Sequence, residues 1–187
     1  MQRREAPAAM ASPTTTIQIN RAPVLTLWAA VVAERLGFDP DEALTFGRAV
    51  AGLNAYAKGA RLGLFTPAAP NAVKEHRKKV AEGEWLHVDL LGRAVPATAT
   101  PDGLRALAKD KPVAPEGVAR YLESKFGAAL PDARAAMERL ANSVPPERLA
   151  VEAFHLYEKF RPDVPGGVGG WGAKGTLDLG RILSLVE

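Results

Sequence analysis

Basic side chains concentrate between residues 58 and 93, and their pattern suits the binding of phosphate. Lys74, Arg77 and Lys78 stand at i, i+3 and i+4, so a helix would carry them on one face. Glu75 is the one acid between residues 58 and 79. Clustered cations bind nucleic acid by neutralising its backbone charge. The candidate contacts are Lys58, Arg61, Lys74, Arg77, Lys78, Lys79 and Arg93. The alternative is a solvated surface helix that keeps the protein soluble.

A glycine-rich stretch at residues 165–175 offers a second candidate for phosphate binding. It contains Lys174 and Thr176, but not the contiguous Gly-Lys-Ser/Thr of a P-loop, and the sequence predicts no strand before it. We therefore expect the glycines to let the chain turn while Trp171 packs against the fold. Contact of Trp171 or Lys174 with nucleic acid, by stacking or by charge, is the alternative.

Metal binding and catalysis find little support in the sequence. His87 and Asp89 share one face of a predicted strand, but no third ligand is identified. The Glu152-x-x-His155 spacing occurs in di-iron bundles, which need a second copy and further glutamates that this chain lacks. The chain has no cysteine, and its serines lie in no nucleophile-elbow motif. We predict no catalytic residue, no metal ligand and no cofactor. An enzyme is the least favoured class, with Glu84, His87 and Asp89 as its best candidates.

Residues 33–38, Ala-Glu-Arg-Leu-Gly-Phe, resemble the first helix and turn of helix-turn-helix proteins. The positions that would then face a DNA groove carry Asp39 and Asp41, and carboxylates oppose contact with phosphate. The favoured interpretation is two core helices joined by a tight turn.

The predicted order of strand, three helices and hairpin is similar to that of a winged-helix module. That resemblance implies that the basic helix at residues 71–82 approaches the major groove. The hairpin tip, Leu91-Gly92-Arg93, would then act as the wing.

The elements that must position these residues are mostly helices. The segment 21–36 is apolar nearly all round and predicts a helix inside the fold, and 40–58 predicts a second helix packed closely on it through Gly47, Ala51 and Ala55. The remaining predictions are a strand at 14–19, a helix at 71–82, a hairpin at 85–99, helices at 101–108, 115–126, 131–142 and 146–160, and a short terminal helix around Leu179 to Val186.

The predicted fold class is therefore mainly α. We expect a helical, bundle-like protein with a small β-hairpin or short sheet and a winged-helix-like N-terminal part. We expect residues 1–13 to form a disordered tail, 14–99 a helical unit with the hairpin, and 100–187 a C-terminal helical unit. The two units can share one core, since a chain of 187 residues allows one domain or two.

Bulk composition fits an ordinary soluble chain, with 47% apolar and 24% charged residues and a net charge of +3. Residues 1–13 lack the apolar run of a secretory signal, and the apolar run Leu27 to Ala33 is too short to span a bilayer. We expect a cytoplasmic protein with no membrane partner.

The sequence favours a non-enzymatic protein that binds nucleic acid, DNA in particular. The alternative is a protein-interaction or assembly module, or a homo-oligomer, with no nucleic-acid role. That module would bind its partner through Leu62, Leu64, Phe65 and Trp171.

Overall fold

The computed structural model describes residues 16–61, 85–164 and 174–187, the side chains of 56–61 excepted. The predicted tail at 1–13 and the predicted helix at 71–82 lie outside these ranges. The described elements, in chain order, are β1 (Thr16–Asn20), α1 (Arg21–Arg35), α2 (Pro40–Arg61), β2 (Trp85–Leu90), β3 (Arg93–Thr100), β4 (Gly103–Ala108), β5 (Lys111–Pro112), α3 (Pro115–Phe126), a 3-10 turn (Gly127–Ala129), α4 (Leu130–Ser143), α5 (Pro146–Phe160), β6 (Lys174–Asp178) and α6 (Leu179–Ser184).

Helix α1 lies at the centre of the hydrophobic core. Its residues from Pro23 to Ala33 are all buried, as its nearly uniform apolar character predicts. The core cluster around it contains residues from α2 to α6 and from both halves of the chain. The proposed boundary between residues 99 and 100 stays a prediction.

Helices α1 and α2 approach each other at backbone distance, as the small residues of α2 predict. A Cβ atom on Gly47 would lie 2.3 Å from the carbonyl oxygen of Thr26 and 3.1 Å from the backbone nitrogen of Ala30. Beside this contact Phe38 packs edge-on against Phe46, with ring centroids 4.9 Å apart. The interpretation of residues 33–47 as two core helices joined by a tight turn is confirmed.

The predicted hairpin forms between β2 and β3, but it is part of a larger antiparallel sheet with the order β2-β3-β4-β5. The helix predicted at 101–108 is wrong, because this segment is strand β4. Thr100 does not cap a helix; its hydroxyl donates to the carbonyl of Gly103 at 2.7 Å and accepts from the N–H of Asp102 at 3.2 Å. Pro101-Asp102-Gly103 is a turn sequence, and Gly103 has a φ of +119°, which excludes a helix.

Side chains of α2 hold strand β4 against the helices. The Glu42 carboxylate accepts the Leu104 N–H at 2.8 Å, and the Thr45 hydroxyl accepts the Ala106 N–H at 3.0 Å. Thr45 is buried and donates in turn to the Glu42 carbonyl at 2.8 Å. The helix thus provides hydrogen-bond acceptors for two strand amides, in place of the water they lose when β4 packs against α2.

A second, two-stranded antiparallel sheet joins β1 to β6, with Ile17 opposite Leu177. An isolated bridge between Asp163 and Thr176 extends it. Strand β6 was not predicted, whereas β1 was, at 14–19. The predicted terminal helix is α6, and the Asp178 carboxylate caps it by accepting the Gly180 N–H at 2.9 Å.

The predicted fold class is wrong in its bundle-like and winged-helix parts, although its mainly α character agrees with the structure. Helices form the larger part of the described residues, but two separate antiparallel sheets replace the single small hairpin of a helical bundle. The winged-helix architecture also fails, because Leu91 at the supposed wing tip is only 3% exposed. Its backbone turns with φ 49°, followed by Gly92 at 75°, and its side chain joins the core cluster. A wing would have to project towards DNA.

Candidate functional site

The predicted phosphate contacts fall mostly outside the described side chains. Lys74, Arg77, Lys78 and Lys79 lie outside the described residues, and so do Leu62, Leu64, Phe65 and Trp171 of the alternative interpretation. Lys58 and Arg61 belong to the last turns of α2, and their side chains are not described. Arg93 alone among the seven predicted contacts is placed with its side chain.

Arg93, the first residue of β3, is turned towards the helices. Its Nη2 donates to Oδ1 of Asn54 on α2 at 3.0 Å. Its guanidinium carbon lies 5.9 Å from the centre of the Phe154 ring on α5. The hydrogen bond and the aromatic face together fix the plane of this guanidinium.

Two further arginines lie close to Arg93 in space. Arg21 opens α1, and its Nε donates to the Pro162 carbonyl at 2.9 Å. Arg161 follows the last residue of α5. The three arginines line one cleft of about 380 Å³. Its remaining lining residues are Ala22, Leu25, Ala51, Asn54, Phe154, Tyr157 and Glu158.

Tyr157 forms part of the cleft wall and is 2% exposed. Burial raises the pKa of its hydroxyl to about 12, against the opposing effect of the positive charges of Arg161 and Arg21. The hydroxyl points to the Arg21 carbonyl at 3.4 Å. It therefore stays protonated over the whole physiological range.

The raised pKa of Tyr157 makes stability fall with pH. An unfolded tyrosine ionises near pH 10, whereas the folded one holds its proton up to about pH 12. The stabilisation is therefore complete below pH 10 and is lost as pH rises from 10 to 12, by about 3 kcal/mol in all. We expect urea unfolding to show this loss in the wild type relative to Tyr157→Phe, which has no group to ionise. Parallel stability curves for the two proteins would contradict it.

The cleft is cationic although it contains a carboxylate. Among its described lining residues, three arginines accompany one acid, Glu158, whose Oε1 lies 3.7 Å from Nδ1 of His155 outside the cleft lining. Arginine is the side chain best suited to hold phosphate or carboxylate in two parallel hydrogen bonds. The arrangement can therefore bind an anion.

The metal and catalytic candidates receive no support from the part of the chain that the structure describes. Within it, no group of three or more His, Asp or Glu side chains could hold a metal ion. Glu152 of the Glu-x-x-His spacing forms an ion pair with Arg148 at 3.2 Å. Glu84 and residues 165–173 of the glycine-rich stretch lie outside the described residues.

Arg21 and Arg161 are functional candidates that the sequence did not suggest. They are separated by 140 positions, and neither belongs to a run of basic residues. The β1–β6 sheet and the Arg21–Pro162 hydrogen bond bring them together. No local sequence pattern could have indicated that these two arginines lie side by side in the folded chain.

Comparison of the chain with protein-family models, with curated proteins and with solved structures gives no match. Among residues 16–61, 85–164 and 174–187, no helix has both the length and the apolar character needed to cross a membrane. The geometry of the cleft is therefore the main basis for a functional proposal.

Proposed function

We propose that the protein is a non-enzymatic, cytoplasmic protein that binds nucleic acid, DNA in particular. The observation that carries the proposal is the convergence of Arg21, Arg93 and Arg161 on one cleft. Among the described lining residues, three guanidinium groups against the single carboxylate of Glu158 favour a phosphate-bearing ligand electrostatically.

The proposal also takes in the two basic residues predicted for the end of α2. Ala51 and Asn54 line the cleft, and Lys58 and Arg61 follow at four and seven residues beyond Asn54. These spacings return to the same face of an α-helix. In the proposal, Lys58, Arg61, Lys74, Arg77, Lys78 and Lys79 are further contacts to phosphate.

The test is binding to fluorescently labelled single-stranded and duplex DNA, measured by anisotropy over a series of salt concentrations. We expect affinity to fall steeply with salt in the wild type. Combined replacement of Lys74, Arg77 and Lys78 by alanine should weaken binding and lower the logarithmic salt slope by about 3, which is about one for each phosphate that the variant no longer neutralises. Arg139→Gln is the matched control, because Arg139 is an exposed arginine on α4 that does not line the cleft.

Two results would contradict the proposal. One is an affinity that does not respond to salt, and the other is a triple variant that binds as well as the wild type.

An assembly module is the second candidate. Strand β2 pairs only with β3 among the described strands, and Trp85 at its start is 42% exposed. A strand edge that pairs with no other described strand, beside an exposed aromatic residue, can pair with a second copy. Light scattering separates the two candidates: a dimer indifferent to DNA supports assembly, and a monomer that DNA shifts supports nucleic-acid binding.

A further inference from the structure

We infer that the arginine cleft binds a phosphomonoester, the group that terminates a phosphorylated nucleic-acid strand or a mononucleotide. The inference deepens the proposed function and rests on it for the strand as the source of that group. Shape, charge and pre-organisation of the cleft carry it.

The shape favours the end of a strand over the side of a duplex. The cleft encloses about 380 Å³, at the lower end of the 300–1,000 Å³ typical of small-ligand pockets. Duplex DNA is read by a convex element that enters its groove. A concave site of this volume instead takes up one small group.

The charge of the lining favours a dianion. Among the described lining residues, three arginines and Glu158 leave two net positive charges, since burial keeps the Tyr157 hydroxyl neutral. A phosphodiester inside a strand carries one negative charge, whereas a phosphomonoester carries about 1.5 to 2 at pH 7. The terminal group therefore matches the cleft better than an internal one.

Two of the three cationic groups are held in place before any ligand arrives. Pro162 fixes Arg21 through its Nε, and Asn54 and Phe154 fix Arg93. Arg161 lies at the C-terminal end of α5, one turn beyond Tyr157. Side chains that are already ordered lose little entropy on binding.

The experiment compares three oligodeoxythymidylates of equal length, one with a 5′-phosphate, one with a 3′-phosphate and one with neither, on the full chain. We expect the wild type to bind one of the phosphorylated strands about tenfold more tightly than the unmodified one, a typical gain for one charge-assisted contact. Arg161→Gln should abolish this preference while Arg139→Gln keeps it.

Glu158→Gln provides a test in the opposite direction. Removing the carboxylate from the cleft should increase affinity for the phosphorylated strand several-fold. Glu147→Gln removes the same charge from an exposed position on the same helix, outside the cleft, and should leave that affinity unchanged. A gain of affinity cannot result from misfolding, so the inference stays testable if an arginine variant is unstable.

Adenosine 5′-monophosphate, with adenosine as its control, separates the two sources of the group. Equal affinity for phosphorylated and unmodified strands overturns the inference and leaves the proposed function intact. Binding of the monophosphate with no binding of any strand supports the inference and overturns the proposed function. Absence of binding in every arm overturns both.

Discussion

Replacing Gly47 with alanine is expected to destabilise the protein by about 3 kcal/mol, the upper end of the usual range for overpacking, because the added atom meets a rigid backbone. The added Cβ would lie 2.3 Å from the Thr26 carbonyl oxygen and 3.2 Å from the Ala30 Cβ. Both neighbours belong to α1, where no flexible side chain can move aside. The two helices would have to separate, and each buries its contact face in the core.

Gly52→Ala is the matched control for this substitution. Gly52 lies in the same helix, and nothing is within 4 Å of the position that its Cβ would take. Alanine has the higher helix propensity, so this variant should gain up to about 1 kcal/mol. Urea unfolding followed by circular dichroism measures both changes. Equal effects of the two substitutions would mean that α1 and α2 do not pack as closely as described.

Truncating Trp28 to alanine is expected to cost about 3–5 kcal/mol, the usual range for large aromatic residues in a core. Trp28 is 0% exposed, and its indole Nε1 donates to the Ala153 carbonyl at 2.8 Å. Its ring also meets Phe160 edge-on, with centroids 5.3 Å apart. The substitution removes the main link between α1 and α5, and it opens a cavity beside helix α5, which carries Tyr157.

Trp85→Ala removes the same side chain from the first position of β2, where tryptophan is 42% exposed. This control should cost about 1 kcal/mol or less, as substitutions away from the core do. The comparison is best made by thermal unfolding of both variants under one condition. If Trp28→Ala unfolds at the same temperature as Trp85→Ala, α1 is not the centre of the core.

Local patterns predicted the long helices well. Apolar spacing in α5 and proline at the first turns of α3 and α5 gave boundaries that agree with the structure within a residue or two. The all-round apolar character of α1 correctly predicted its burial. These features depend on neighbouring residues only, which a sequence shows directly.

The errors arose where two short-range signals competed. Residues 101–108 contain leucine and alanine, which favour a helix. The turn at Pro101-Asp102-Gly103 instead reverses the chain, so that residues 103–108 pair with β3 as a strand. Strand β6 contains a single large apolar residue, Leu177, so its alternation was too weak to recognise. In both cases pairing with another strand decides the structure. For β4 the partner is the neighbouring strand β3, and for β6 it is β1, more than 150 residues earlier in the chain.

The cleft could not have been predicted for the same reason. The sequence pointed to Arg93 because it lies near other cations, whereas Arg21 and Arg161 meet it only in the folded chain. The seven predicted contacts remain a prediction, and the cleft adds two residues that no local count of charge would include.

The pairing of β1 with β6 has a consequence for the order of folding. Gln18 donates to Thr176, a partner 158 positions later in the chain. During synthesis on the ribosome, strand β1 therefore has to wait for its partner until β6 has been translated, with Ile17 and Ile19 unpaired in the meantime. Contacts of such high order form late and slow folding. The β1–β6 sheet is thus among the last parts of the described structure to form.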